Sequence, residues 1–200
     1  MQGQRTTIVL GAVALLLGAG VYLYETQFSP SQEKTQEQAR PLFTFEESAV
    51  ETVNLTTPAQ KLAFVRNPQA TAAKPPAADK QRAASTEKTD WFMTTPRKQP
   101  AKDGSVAYLL NLMATGKSQQ SLSIPLARQA EFGLDKPTAI VEVTLNQGQT
   151  HRLLLGKPNF NRTGLYALID PPQSSSELTV FLVSTDFENA VSRPLKDWQQ

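Results

Sequence analysis

Residues 139–155 read AIVEVTLNQGQTHRLLL, two apolar runs joined by a polar turn. In residues 139–145 apolar and polar side chains alternate, which is typical of a β-strand with one buried face. Residues 151–155 continue as a second apolar run, and Gly148 gives the turn a residue that accepts a positive φ. This stretch therefore predicts an antiparallel hairpin.

The chain on both sides of this hairpin carries similar signals. Strands are predicted at residues 50–55, 61–66, 91–93, 165–169 and 178–183. Asp103 is predicted to cap a helix that ends near Gly116, and the apolar residues at helical spacing are Val106, Leu109, Leu110 and Met113. A last helix is predicted to begin at Thr185, with Glu188 at the spacing of a capping box. The order strand, strand, strand, helix thus occurs twice.

A long uncharged run, residues 8–24 (IVLGAVALLLGAGVYLY), predicts a membrane segment. An apolar helix of this length spans about 25 Å, at the short end of what a bilayer core of about 30 Å requires. Arg5 before the run and two tyrosines at its end place the N-terminus in the cytoplasm and the body outside it. A cleaved signal peptide is the alternative, because Gly18 and Gly20 have the spacing of small residues at a cleavage site. Under either interpretation the body is exported.

Three segments follow from this pattern. Residues 1–24 are predicted to form the membrane anchor, residues 25–40 a polar stalk, and residues 41–197 an extracytoplasmic α+β domain. Residues 68–88, rich in Ala, Pro and Lys, predict a disordered insertion in that domain. The predicted fold class is α+β, with an N-terminal transmembrane helix followed by two repeated antiparallel strand-strand-strand-helix units.

Composition excludes several classes of function. The 20 Lys and Arg residues nearly balance the 18 Asp and Glu residues, so a net charge of +2 implies no nucleic-acid partner. The chain has no cysteine and one histidine, His151, which removes disulfides, thiolate metal sites and most histidine chemistry. The Gly116-Lys117-Ser118 run lacks the earlier glycine of a phosphate-binding loop. We therefore expect no catalytic residue, no cofactor and no metal site, and a protein that is not an enzyme.

Two segments place cations beside an aromatic ring, one between two predicted strands and one in the C-terminal tail. Loops on a rigid sheet often carry binding residues, and aromatic rings near cations are typical of docking surfaces. The residues predicted to bind a partner are Lys157, Phe160, Arg162, Arg193, Lys196 and Trp198. For Trp198 the alternative is that the indole closes the core.

Several short motifs resemble a known family. They are LFTF at 42–45, DWFMTTP at 90–96, FGLDKP at 132–137, and LGK at 155–157 followed by GLY at 164–166. Together with the N-terminal anchor, these motifs resemble an uncharacterised bacterial family of single-pass proteins with a domain of unknown function. The resemblance covers about residues 41–197. Members of this family often lie beside gliding-type ABC transporter components. The resemblance implies a non-enzymatic accessory role with no catalytic residues to carry over, and the composition is similar to that of cyanobacterial members.

These observations lead to one expected function and one alternative. We expect a membrane-anchored accessory protein that binds another membrane or envelope protein in a transport or membrane assembly, with its body in the periplasm or thylakoid lumen. The alternative is an extracytoplasmic domain that binds a small molecule, a glycan or lipid head group, for a transporter. A pocket between the two repeated units would favour the alternative.

Overall fold

A computed structural model describes residues 40–67, 90–118, 120–172 and 174–200. Its strands are β1 (Arg40–Pro41), β2 (Val50–Thr56), β3 (Lys61–Arg66), β4 (Trp91–Thr95), β5 (Gln99–Pro100), β6 (Lys117–Ser118), β7 (Gln120–Pro125), β8 (Ala139–Leu145), β9 (Thr150–Pro158), β10 (Leu165–Ile169) and β11 (Glu177–Val183). The helices are α1 (Asp103–Thr115) and α2 (Asp186–Val191), with short 3-10 helices at Glu47–Ala49, Leu126–Phe132 and Leu195–Trp198.

Nine of these strands form one antiparallel sheet in the order β5-β4-β3-β2-β8-β9-β10-β11-β7. The predicted hairpin of β8 and β9 lies near its middle, and every second residue of β8 is buried, as the alternation predicts. Gly148 has a φ of 79° in the connecting turn. Strand β2 pairs with β8, with Val53 opposite Val143, and this pairing joins the two halves of the chain into a single sheet.

The predicted fold class is wrong, because the described chain is mostly one antiparallel sheet and does not consist of repeated units. Two pairings cause the difference. The contact between β2 and β8 merges the strands that were assigned to separate units. Residues 120–125, where no strand is predicted, form β7 and pair with β11 at the far edge of the sheet. Both pairings join segments that are distant in sequence, so local periodicity carries no signal for them.

The transmembrane part of the predicted fold class is not supported either. Among the described residues, no helix has the length and apolar character needed to cross a bilayer. The predicted anchor at 1–24, nearly all of the predicted stalk at 25–40 and the predicted insertion at 68–88 lie outside the described residues. Arg40, the last residue of the predicted stalk, belongs to β1 and pairs with Ser118 of β6.

Helix α1 covers one face of the sheet. The four apolar residues predicted to face the core, Val106, Leu109, Leu110 and Met113, are all buried. They belong to the main hydrophobic cluster, which also contains residues of α2 and of the central strands. Asp103 does not cap the helix, contrary to the prediction. Its carboxylate accepts hydrogen bonds from the backbone N–H groups of Asp90 and Trp91, 2.9 and 3.0 Å away, and so ties the start of α1 to β4.

A smaller hydrophobic cluster lies on the opposite face of the sheet. It contains Ile124, Phe132, Leu134, Leu168, Leu178 and Val180. Leu154 of β9 packs against this cluster, while its neighbours Leu153 and Leu155 belong to the main one, as expected for successive residues of a strand. At the end of the sheet formed by β9, β10, β11 and β7, both faces therefore carry buried residues. The segment that follows β7, with Phe132 and Leu134, covers the face of the smaller cluster.

Candidate functional site

The connection between β9 and β10, residues 159–164, is a tight loop held by its own backbone. The N–H of Asn159 donates to the carbonyl of Gly164 (2.9 Å), and the N–H of Arg162 donates to the carbonyl of Asn159 (3.0 Å). Arg162 has a φ of 57°, in the left-handed region. A Cβ on Gly164 would lie 2.9 Å from the Leu182 side chain and from the Val183 carbonyl oxygen, so only glycine fits where the loop returns to the sheet.

Side chains within this β9–β10 loop hold it further. Asn159 Oδ1 accepts hydrogen bonds from the N–H groups of Thr163 (2.9 Å) and Gly164 (3.2 Å), and its Nδ2 donates to Thr163 Oγ1 (3.1 Å). The Thr163 hydroxyl in turn donates to Asn161 Oδ1 (2.8 Å). These bonds fix the loop without burying it. The sequence interpretation missed Asn159 and Thr163, although their polar side chains beside Gly164 are typical of a self-bonded turn.

Phe160 lies on this ordered loop with its side chain fully in solvent, at 104% relative exposure. The other exposed large apolar residues of the described chain, such as Phe92 at 37% and Leu122 at 53%, are partly covered. Moving a Phe side chain from water into an apolar environment contributes about 1.5–3 kcal/mol. In the isolated chain Phe160 contributes none of this free energy, so it is available for binding. An ordered loop that exposes an aromatic ring in this way is a typical binding element.

Two exposed cations flank the ring in sequence. Lys157 is at the end of β9 and Arg162 is in the loop, and neither forms an ion pair with any residue that the structure describes. The backbone of Gly133, with a φ of 70°, packs against Lys157. A Cβ at residue 133 would lie only 3.3 Å from the Lys157 Cβ. The pKa of Glu131 is lowered mainly by the hydrogen bond that Arg128 donates to its carboxylate. The positive charge of Lys157 lowers it further, by a smaller amount.

The other predicted cluster, in the C-terminal tail, is mostly built into the fold. The Arg193 guanidinium lies 4.9 Å from the centre of the Tyr108 ring, and its Nη1 donates to Ser105 Oγ (3.2 Å). Its carbonyl accepts hydrogen bonds from Gln60 Nε2 (2.8 Å) and Trp198 Nε1 (3.3 Å). Arg193 thus connects α1, the tail and the turn between β2 and β3.

Trp198 and Lys196 occupy opposite environments. Trp198 is completely buried and packs on Phe64 of β3, so the structure agrees with the alternative in which its indole closes the core. Its carbonyl accepts a hydrogen bond from the N–H of Lys102 at 2.9 Å. Lys196 is exposed in the last turn of the 3-10 helix.

A cleft of about 360 Å³ adjoins the loop. Its lining includes Pro58, Thr138, Pro158, Leu165, Val191 and Arg193. Pro158 and Leu165 are the residues on either side of the β9–β10 loop, so the loop projects from the rim of the cleft. The tertiary structure therefore brings Arg193 to the same cleft as the loop, which the sequence did not predict.

The remaining polar candidates are held by structural contacts. His151 Nδ1 lies 2.8 Å from Asp170 Oδ2, and its ring stacks on Phe45 with centroids 5.5 Å apart. Within the ranges that the structure describes, no group of three or more His, Cys, Asp or Glu residues could hold a metal ion. Lys117 and Ser118 form β6, so the arrangement of a phosphate-binding loop, with a helix after it, does not occur there.

Comparison with known protein families identifies a match for the second half of the chain. A family described as a domain of unknown function (DUF4340) matches residues 91–200. This range contains the β9–β10 loop, the C-terminal tail and most of the lining of the cleft. No curated protein and no solved structure matches the chain. The resemblance to a family with a domain of unknown function is therefore confirmed, whereas a cyanobacterial source and a link to ABC transporters are not.

Proposed function

We propose that the described body of this chain, which belongs to the DUF4340 family with a domain of unknown function, is a protein-binding accessory domain without enzymatic activity. The β9–β10 loop is the binding element. A single observation carries the proposal: a phenylalanine ring is fully exposed on a loop that its own hydrogen bonds hold in one conformation.

The rigidity of the loop favours binding because association then costs little loop ordering. Asn159 and Thr163 already fix the backbone around Phe160. Aromatic anchors of this kind contribute most when they enter a pocket from which water is excluded. The partner surface that fits is therefore an apolar pocket large enough for one phenyl ring.

The charges beside the ring indicate what should surround that pocket on the partner. Lys157 and Arg162 are exposed, and both lack an ion-pair partner among the described residues. Rim charges mainly increase the association rate and the specificity of a complex. We therefore expect carboxylates around the pocket of the partner protein.

The finer parts of the proposal concern location and pathway. The apolar run at residues 8–24 supports a body outside the cytoplasm. The family resemblance stated above supports a cyanobacterial transport or membrane assembly beside an ABC transporter component. The partner would then be another membrane or envelope protein. Protease added to spheroplasts, which have lost the outer membrane barrier, should digest a periplasmic body before lysis, whereas a cytoplasmic body should be digested only after lysis.

The decisive experiment is affinity capture of the tagged full chain from gently solubilised membranes, with mass spectrometry of the proteins that come with it. The Phe160→Ala variant should weaken capture of the main partner by about 2 kcal/mol, which is about thirtyfold in Kd. The Lys157→Ala/Arg162→Ala double variant should slow association and reduce its salt dependence. Unchanged capture by both variants would overturn the proposal.

A matched control is available at the other end of the sheet. Arg97→Ala/Lys98→Ala also removes one arginine and one lysine from an exposed turn, between β4 and β5. This control should capture the partner as the wild type does. Equal losses in both double variants would indicate a general effect of net charge and would contradict a specific role of the loop.

The adjoining cleft supports a second candidate function, binding of a small molecule. Its volume of about 360 Å³ is within the usual range of about 300–1,000 Å³ for ligand pockets. A bound small molecule should raise Tm, and above its Kd the rise should increase with the logarithm of its concentration. Ala59→Trp, which places an indole on the lining of the cleft, should remove that rise, and its persistence in this variant would exclude the cleft as the site.

A further inference from the structure

Strand β7 ends the nine-stranded sheet with an open edge. One side of β7 pairs with β11 over six residue positions, from Gln120 to Pro125. No strand among the described residues pairs with its other side. An open strand edge presents unpaired backbone N–H and C=O groups, and it therefore favours addition of another extended chain.

The two edges of the sheet differ in how they are protected. The opposite edge is β5, which has only two residues, Gln99 and Pro100, and follows the cations Arg97 and Lys98. A short strand, a proline and nearby positive charges are the devices that usually prevent edge-to-edge pairing. Strand β7 is six residues long, QSLSIP, contains no charged residue, and has its proline only at the last position, Pro125.

Apolar surface accompanies this open edge. Leu122 lies opposite the buried Val180, on the face of the smaller hydrophobic cluster, yet it is 53% exposed. Leu126, directly after the strand, is 43% exposed. A strand added beside β7 would cover the exposed part of Leu122 and would continue the smaller cluster outward. Backbone hydrogen bonding and apolar burial therefore favour the same kind of partner.

From these observations we propose that β7 pairs antiparallel with β7 of a second copy of this chain, forming a twofold dimer with one continuous sheet. An uncharged strand brings no like charges together when it pairs with itself. In a twofold pairing, residues directly opposite each other lie on the same face of the sheet. In a pairing centred on Leu122, the two Leu122 side chains meet on one face and Ser121 meets Ser123 on the other. In a pairing centred on Ser123, Leu122 meets Ile124 on one face and the two Ser123 side chains meet on the other.

This dimer is independent of the function proposed for the β9–β10 loop, because the two surfaces share no residue. Sedimentation of the purified full chain over a range of concentrations tests it. The wild type should sediment with twice the mass of one chain. Leu122→Lys should sediment as a monomer, since it places a charge at the pairing edge, and its half-exposed position leaves the fold intact by circular dichroism.

Two outcomes of that measurement would overturn the proposal: a monomeric wild type at every concentration, or a Leu122→Lys variant that remains dimeric. Phe160→Ala is the matched control, because it removes an exposed apolar side chain from the loop instead of from the edge. It should leave the dimer unchanged. Dissociation caused by Phe160→Ala and not by Leu122→Lys would place the contact at the loop and would also contradict the β7 pairing.

Crosslinking locates the contact, because the chain has no native cysteine. Directly opposed residues in antiparallel strands have Cβ atoms about 4.5–5.5 Å apart, close to the span of a disulfide. A twofold pairing centred on Leu122 or on Ser123 brings that residue against its own copy. Either Leu122→Cys or Ser123→Cys should therefore give a disulfide-linked dimer under mild oxidation, well above the level of Phe160→Cys. Crosslinking of both no greater than that of Phe160→Cys would refute the pairing.

Discussion

The indole ring of Trp198 packs against the phenyl ring of Phe64, with the two ring centroids 5.4 Å apart and both side chains buried. Phe64 is in β3, and Trp198 is two residues before the end of the sequence. Through this contact the C-terminal tail completes the main hydrophobic cluster. The hydrogen bond from Trp198 Nε1 to the Arg193 carbonyl satisfies the polar atom of the indole inside the core.

Trp198→Ala should strongly destabilise the protein. The substitution leaves a large cavity beside Phe64 and removes the hydrogen bond to Arg193, and the expected loss is about 3–5 kcal/mol in the free energy of unfolding. Urea denaturation measures this loss. Trp198→Phe should cost clearly less, because it keeps most of the apolar volume. A loss below about 1 kcal/mol for Trp198→Ala, within the range of ordinary surface substitutions, would contradict a core role.

Gly164→Ala should destabilise the fold and displace the β9–β10 loop. The new methyl group would lie 2.9 Å from the Leu182 side chain and the Val183 carbonyl oxygen, closer than such atoms can approach. Gly104→Ala is the matched control, because nothing lies within 4 Å of a Cβ at that position in α1. It should increase stability by about 0.5–1 kcal/mol. Thermal unfolding of the two variants should therefore shift in opposite directions.

Asn159→Ala should loosen the loop without unfolding the sheet. The Asn159 side chain accepts hydrogen bonds from two loop N–H groups and donates to Thr163 Oγ1, and an alanine makes none of these bonds. Backbone NMR relaxation should show lower order parameters at residues 160–163 and unchanged values in β9 and β10. Capture of a partner that depends on Phe160 should weaken in parallel. Unchanged order parameters would show that the backbone bonds alone hold the loop.

The Arg128–Glu131 ion pair should give a measurable pKa effect. Arg128 Nη2 lies 2.7 Å from Glu131 Oε2, and this hydrogen bond is the main reason that the pKa of Glu131 is lowered. A carboxyl with a lowered folded-state pKa stabilises the fold above its unfolded-state pKa, and this contribution disappears as pH falls through the folded-state pKa. Arg128→Ala should raise the pKa of Glu131 towards its ordinary value in an NMR titration, whereas Lys136→Ala should leave it unchanged.

Local signals were sufficient to predict several elements of this fold. The hairpin of β8 and β9, strands β2 and β3, and the buried face of α1 appear where apolar periodicity predicts them. Alternation and helical spacing act over a few residues, so neighbouring side chains already contain the information. The composition of the β9–β10 loop likewise indicated an exposed segment, and Phe160, Lys157 and Arg162 are all exposed.

The tertiary structure decided what depends on distant segments. The pairing of β2 with β8 made one sheet instead of two units, and the return of β7 to the far edge created the open strand. The same holds for two side chains whose roles differ from expectation. Trp198 is buried because the tail returns to Phe64, and Asp103 binds backbone N–H groups at β4 instead of capping its helix. Strand pairing and core closure join residues far apart in sequence, and no short window of sequence contains both partners.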